Sequence, residues 1–97
     1  MVTATDFREA CSAGSMTALS YAQTCLQEIE LSDGQIQAWE HLVPDAVRQM
    51  AEQADAVQAA DNMQLLRGVP VGIKDIIDTS DAPCACGSVA LAGRRPG

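Results

Sequence analysis

Few residues in this chain can do chemistry. Lys74 is the only lysine, His41 the only histidine, and the cysteines stand at positions 11, 25, 84 and 86. Lys74 sits within "RGVPVGIKDIID", Arg67 to Asp78, among valine, isoleucine and glycine. A charged amine is costly to bury in such surroundings. Burial strips hydration from the charged form and lowers a lysine's pKa, by up to about 3–5 units when complete. A neutral amine can then take a proton near neutral pH and act as a general base. The competing reading is a solvent-side lysine on an edge strand, where a charge blocks aggregation. Surface lysines far outnumber buried ones, so the strand pattern alone favours that second reading.

Other lysine motifs fail on their own terms. A phosphate loop needs Gly-Lys-Ser/Thr after a glycine spacer. Here Ile73 parts Gly72 from Lys74, and Asp75 would repel phosphate. "VGIK", Val71 to Lys74, is similar to a kinase strand motif, but no glycine-rich loop precedes it. Cys84 and Cys86 read as small apolar filler, and with Cys11 and Cys25 they do not match common zinc spacings. His41 reads as a surface strand residue, with no companion Ser/His/Asp set around it. No cofactor and no metal are expected.

The elements that must position Lys74 can be read from periodicity. Asp6 to Ala13 predicts a short helix, with Thr5 or Asp6 as cap and Gly14 as stop. Thr17 can cap a second helix, with Met16 stapled onto Tyr21. Its apolar face is Leu19, Ala22, Leu26 and Ile29, and Ser32-Asp33-Gly34 ends it. Ile36 to Leu42 is expected to be a short strand. Pro44 opens a third helix that Asp61-Asn62 closes, with Val47, Met50, Ala51, Ala54 and Val57 facing inward. From Leu65 the period turns strand-like, and the ordered strand should start near Val71, after Pro70. In that strand Lys74 shares a face with Gly72 and Ile76, and Gly72 leaves room beside the amine. Asp75 points the other way. Apolar residues on both sides predict a strand covered on both faces. A loop-rich tail follows Asp78.

This order, α-α-β-α-β, fits an α/β or α+β layer arrangement. Two strands cannot cover three helices and a doubly apolar strand, so further sheet is expected from a longer chain, a second copy or another protein. Position 97 looks like an interruption. Composition agrees: 97 residues make one small domain at most, and 3% aromatic content leaves aliphatic side chains to build the core. The net charge of −7 gathers in residues 1–63, with ten acids against two arginines, a solvated helical surface. No basic stripe exists for nucleic acid, and no run approaches a membrane span. The N-terminus has no signal-peptide core, so a reduced, cytoplasmic protein is expected.

"LLRGVPVGIKDIIDTSDAPCACGSVALAGRRP" closely resembles the amidase signature family near its N-terminus. The family pattern runs L-x-G-[VI]-P-[VFI]-[AG]-[VI]-K-D-x-[IF]-D, then P-T-T-x-G-S after a spacer. In register are Leu66, Gly68, Val69, Pro70, Val71, Gly72, Ile73, Lys74, Asp75, Ile77, Asp78, Pro83, Gly87 and Ser88. Upstream, a helix after "SMT" and then "IQAWEHLVPDAVRQMAEQADA" also fit, so the resemblance spans Ser15 to Pro96.

The resemblance implies an α/β/α fold around a large mixed sheet, of which this chain would hold the first helices and strands. Residues 1–97 would be the N-terminal part of a single amidase domain, helical over 1–63, with the lysine-bearing strand and loop over 64–97. It also implies hydrolysis of a carboxamide by a Ser–cis-Ser–Lys triad, with Lys74 as the catalytic lysine. The two threonines usual after the proline are Cys84 and Ala85 here. The glycine- and serine-rich segment of the family lies beyond residue 97. None of Ser12, Ser15, Ser20, Ser32, Ser80 or Ser88 sits in such a run, so none is given the nucleophile's or bridge's role.

Two readings follow. In the first, the chain is part of an amidase acting on a small-molecule amide, inactive alone, with the missing C-terminal part or self-association as its partner. In the second, it is a small non-catalytic α/β interaction protein that completes a partner's sheet.

Overall fold

The structure, a computed structural model, describes residues 2–58 and 64–97. It contains α1 (Ala4–Ser12), α2 (Ala18–Ile36), α3 (Pro44–Gln58) and a short 3₁₀ turn, Val89–Leu91. Among the described residues there is no strand. The expected α/β architecture, with an amidase-signature α/β/α mixed sheet, is therefore corrected to a helical one. The physical reason is pairing. A strand exists only as part of a ladder, and the two apolar segments expected to be strands do not pair. Ile36 is taken by the last turn of α2, residues 37–42 are irregular, and Val71–Lys74 runs without ladder partners.

Each helix start is set by local hydrogen bonding. Thr3 caps α1: its Oγ1 accepts from the Asp6 amide at 3.1 Å, and the Asp6 carboxylate accepts from the Thr3 amide at 3.0 Å. This capping box satisfies two otherwise orphaned donors and starts the helix two residues earlier than the sequence reading places it. Gly14, at φ +76°, then turns the chain after α1. Thr17 and Ser20 form a similar reciprocal pair ahead of α2: the Ser20 amide donates to Thr17 Oγ1 and the Thr17 amide to Ser20 Oγ, both at 3.0 Å. α2 does not stop at Ser32-Asp33-Gly34 but runs through them. The Ser32 hydroxyl is bound to the Glu28 carbonyl at 2.7 Å, inside the helix rather than in a turn. The break comes at Gln37, a non-glycine residue at φ +55°. α3 begins at Pro44 as expected, and its expected closure at Asp61-Asn62 lies outside the described residues.

The chain divides into two compact units, Met1–Ile36 with Val43–Pro70, and Gln37–Leu42 with Val71–Gly97. The first has a core of Phe7, Ala18, Ala22 and Ala51, flanked by Leu19, Tyr21, Val47, Ala54 and Val69. Leu26 is also buried. The helical faces are therefore close to those read from the 3-4 spacing. Met50 and Val57, expected inside, are 55% and 46% exposed.

Two further features lock this unit. The Asp55 carboxylate of α3 accepts from the Ala18 and Leu19 amides at 2.7 and 3.0 Å, capping the N-terminus of α2 from another helix. An anion there also meets the positive end of the helix dipole. Gly68, at φ +79°, lies flat on the core. A β-carbon built on it would stand 2.8 Å from Ala18 Cβ and 3.6 Å from Ala54 Cβ and Phe7 Cζ. No side chain fits there.

Candidate active-site segment

The second unit carries Lys74. Val71–Lys74 is not a covered strand: Val71 and Ile73 are exposed, as are Ile76 and Ile77. Lys74 is itself exposed, and no hydrogen bond or ion pair joins its amine to a described residue. Gly72 does not leave room for a group beside the lysine. It lies under the Trp39 indole, with its added β-carbon position 3.3 Å from Trp39 Cη2.

What fixes the backbone at Lys74 is the residue after it. The Lys74 carbonyl accepts from the Ile77 amide at 3.0 Å, which closes a tight turn. Asp75 anchors that turn to the segment ten residues on. Its carboxylate accepts from the Ala85 amide at 3.0 Å and the Gly87 amide at 3.4 Å. Its carbonyl accepts from the Cys86 amide at 2.9 Å and from the Cys84 thiol at 3.2 Å. Four donors from Cys84–Gly87 thus converge on one residue. Gly87 and Cys86 both sit at positive φ, 70° and 52°, which curls this segment around Asp75. A non-glycine residue in that region is uncommon.

A second clamp closes the unit. Arg94 grips Asp78 with both terminal guanidinium nitrogens, Nη1 and Nη2, at 2.8 and 3.0 Å. The Cys84 amide donates to the Arg94 carbonyl at 2.9 Å. The Arg94 hydrogen bonds, with a smaller contribution from Cys84, hold the Asp78 carboxyl down at about 2, and Asp78 in turn raises the guanidinium. Cys84 is the buried centre of the unit. Burial, and then the neighbouring Asp78 and Cys86, push its thiol up to about 11. Cys86 is exposed, with its sulfur 3.9 Å from that of Cys84.

Of the residues singled out in the sequence, the structure brings Lys74 into one unit with Cys84 and Cys86. It leaves His41 on the surface but not in a strand. Cys84 is the buried filler that the sequence suggests, whereas Cys86 is not. The sequence reading misses the anchoring roles of Asp75, Asp78 and Arg94. The only signal for them is the sequence K-D-x-x-D itself. Among the described residues no cluster could hold a metal ion, and no helix is long and apolar enough to cross a membrane.

The amidase family model matches residues 21–97, which includes this whole lysine segment. The chain belongs to the amidase family. It is 40% identical over 88 residues to a glutamyl-tRNA(Gln) amidotransferase subunit of Chloroflexus aggregans, covering 90% of this chain and 18% of that protein. It is 37% identical over 89 residues to the corresponding subunit from Dinoroseobacter shibae, 92% of this chain and 18% of the relative. A putative amidase AmiD of Mycobacterium bovis is 33% identical over 82 residues, 84% of this chain and 17% of the relative. The amidase-family chain thus spans about a fifth of the length of these curated relatives. No solved structure matches it.

Proposed function

We propose that residues 1–97 form the N-terminal part of an amidase domain and supply its catalytic base, Lys74. Helices α1 to α3 would be the support and residues 64–97 the lysine-bearing segment. The observation that carries this reading is the combination at Lys74. The backbone is fixed by the Ile77 turn and by four donors on Asp75, and the amidase family match takes in this whole segment.

In the complete domain the amine would be desolvated and neutral. It would take a proton by way of a bridging serine in a cis peptide, leaving a second serine's oxygen free to attack an amide carbon. Loss of ammonia or an amine gives an acyl-enzyme, which water hydrolyses. Both serines belong to polypeptide outside these residues, so the isolated chain is expected to show no turnover. Two of the named relatives are subunits of an amidotransferase, which supports a protein partner for the completed domain. A cytoplasmic setting is part of this proposal.

The test is a chimera. This chain replaces the matching N-terminal segment of the Chloroflexus aggregans relative, and ammonia release from simple carboxamides is measured. Hydrolysis by the chimera, abolished by Lys74→Ala, is the expected result. An active chimera indifferent to Lys74→Ala would remove the lysine from the mechanism. Serine-dependent turnover by the 97-residue chain alone would remove the need for a completing segment.

A further inference from the structure

We propose that Cys84 and Cys86 form a dithiol site that reacts with small-molecule disulfides, and that its closure releases the residue next to Lys74. This inference is independent of the hydrolase reading. It rests on the placement of the two sulfurs and on what they hold.

The two thiols lie 3.9 Å apart, on residues separated by one alanine. Cys86 is exposed and Cys84 is buried. Cys86 takes a left-handed backbone conformation, φ +52°, at the bend that curls the segment back on Asp75. The pair is thus split into an accessible attacking thiol and a shielded resolving thiol. The raised proton affinity of Cys84 assigns the same order, since it leaves Cys86 as the first to react.

The chemistry balances with a disulfide reagent R–S–S–R. Cys86 loses its proton to solvent, and its sulfur attacks one sulfur of the reagent. A Cys86–S–S–R bond forms and one thiolate, RS⁻, leaves. Cys84 then gives up its proton, and its sulfur attacks the Cys86 sulfur. The Cys84–Cys86 bond forms and the second RS⁻ leaves. The two released thiolates take up the two protons. Two protein thiols are oxidised by two electrons, and one disulfide is reduced to two thiols.

Closure has a structural consequence. The sulfurs must approach from 3.9 Å to a bonded separation of about 2 Å. The Cys84 thiol can no longer donate to the Asp75 carbonyl, a bond of 3.2 Å in the reduced form. The ring spans a single intervening residue, Ala85, whose amide donates to the Asp75 carboxylate. Bending the backbone there pulls Ala85 and Gly87 from that carboxylate. Such strained, accessible disulfides are the reducible kind.

The experiment uses the 97-residue chain and oxidised glutathione. After treatment, remaining thiols are alkylated and the chain is cut with trypsin. Cleavage after Lys74 and Arg94 yields one peptide, Asp75–Arg94, holding both cysteines. It should appear lighter by two hydrogens, unalkylated, and revert with a reducing thiol. A doubly alkylated peptide, a lasting glutathione adduct on that peptide of the wild-type chain, or a cross-link through it to a second chain would overturn the site. Cys84→Ser should trap the glutathione adduct on Cys86, while Cys86→Ser should leave Cys84 unmodified. The reverse pattern would overturn the assigned order. On oxidation, amide exchange at Ala85 and Gly87 should rise by about tenfold or more. Unchanged exchange would refute the release of Asp75.

Discussion

Replacing Gly68 by alanine should damage the helical unit far more than the same change at Gly14. Both glycines hold a left-handed backbone, φ +79° and +76°. An L-residue there costs about 1–2 kcal/mol. The two differ in space. At Gly14 an added β-carbon meets nothing within 4 Å, whereas at Gly68 it comes to 2.8 Å of Ala18 Cβ. Ala18 is almost fully buried at the start of α2 and cannot swing aside like the end of a long side chain. Forcing a methyl into such a core costs about 1–3 kcal/mol. Reduced freedom of the unfolded chain offsets about 0.4–1 kcal/mol in both variants. The net loss is therefore roughly 1–4.6 kcal/mol for Gly68→Ala and roughly 0–1.6 kcal/mol for Gly14→Ala. Urea unfolding followed by circular dichroism reads the difference. With a slope near 1 kcal/mol/M, the Gly68→Ala midpoint should fall by about 1 M or more beyond that of Gly14→Ala. Equal losses in the two variants would show that close packing against Ala18 plays no part, and would refute the reasoning.

Three further outcomes are expected. Asp55→Ala, which removes the acceptor for two amides of α2, should cost about 1–2 kcal/mol in the same assay, and a neutral result would remove the inter-helix cap. The Asp78 carboxyl is depressed in the folded chain, so its contribution is present above about 3.8 and lost as pH falls through about 2. NMR titration of the carboxyl should show that low midpoint, and a midpoint near 3.8 would deny the Arg94 clamp. The Cys84 thiol is raised instead, so its contribution is full below pH 9 and lost as pH rises through about 11. Alkylation of Cys84 should accelerate only near that higher value in the folded chain and near 9 in urea.

How much of this was legible in the sequence depends on the range of each interaction. The apolar face of α2, the Val47, Ala51 and Ala54 part of the α3 face, the Thr17 cap and the start at Pro44 all follow from neighbours three or four residues apart, and periodicity records them. The Asp55 cap joins residues 36 and 37 positions apart, and a lone aspartate in a helix leaves no pattern that points to it. The same is true of Asp75 with Ala85 and Gly87, and of Asp78 with Arg94. The strand expectations failed for a different reason. Valine and isoleucine in Val71–Ile77 record a preference for extended backbone, but a ladder needs a second segment, and none of the described residues provides one. Alternation along a strand sets Gly72 beside the lysine and cannot foresee an indole arriving from Trp39. The candidate role of Lys74 comes only from the resemblance. Its own surroundings favour a surface residue, and in this structure it is one.

The most direct test of the amidase account is serine labelling in the chimera with the Chloroflexus aggregans relative. A serine-directed fluorophosphonate reports whether the nucleophile is primed, without any choice of amide substrate. With Lys74 present, rapid labelling is expected; with Lys74→Ala, the rate should fall by about 10²–10⁴, the usual contribution of a general base. Equal labelling of the two proteins would contradict the account.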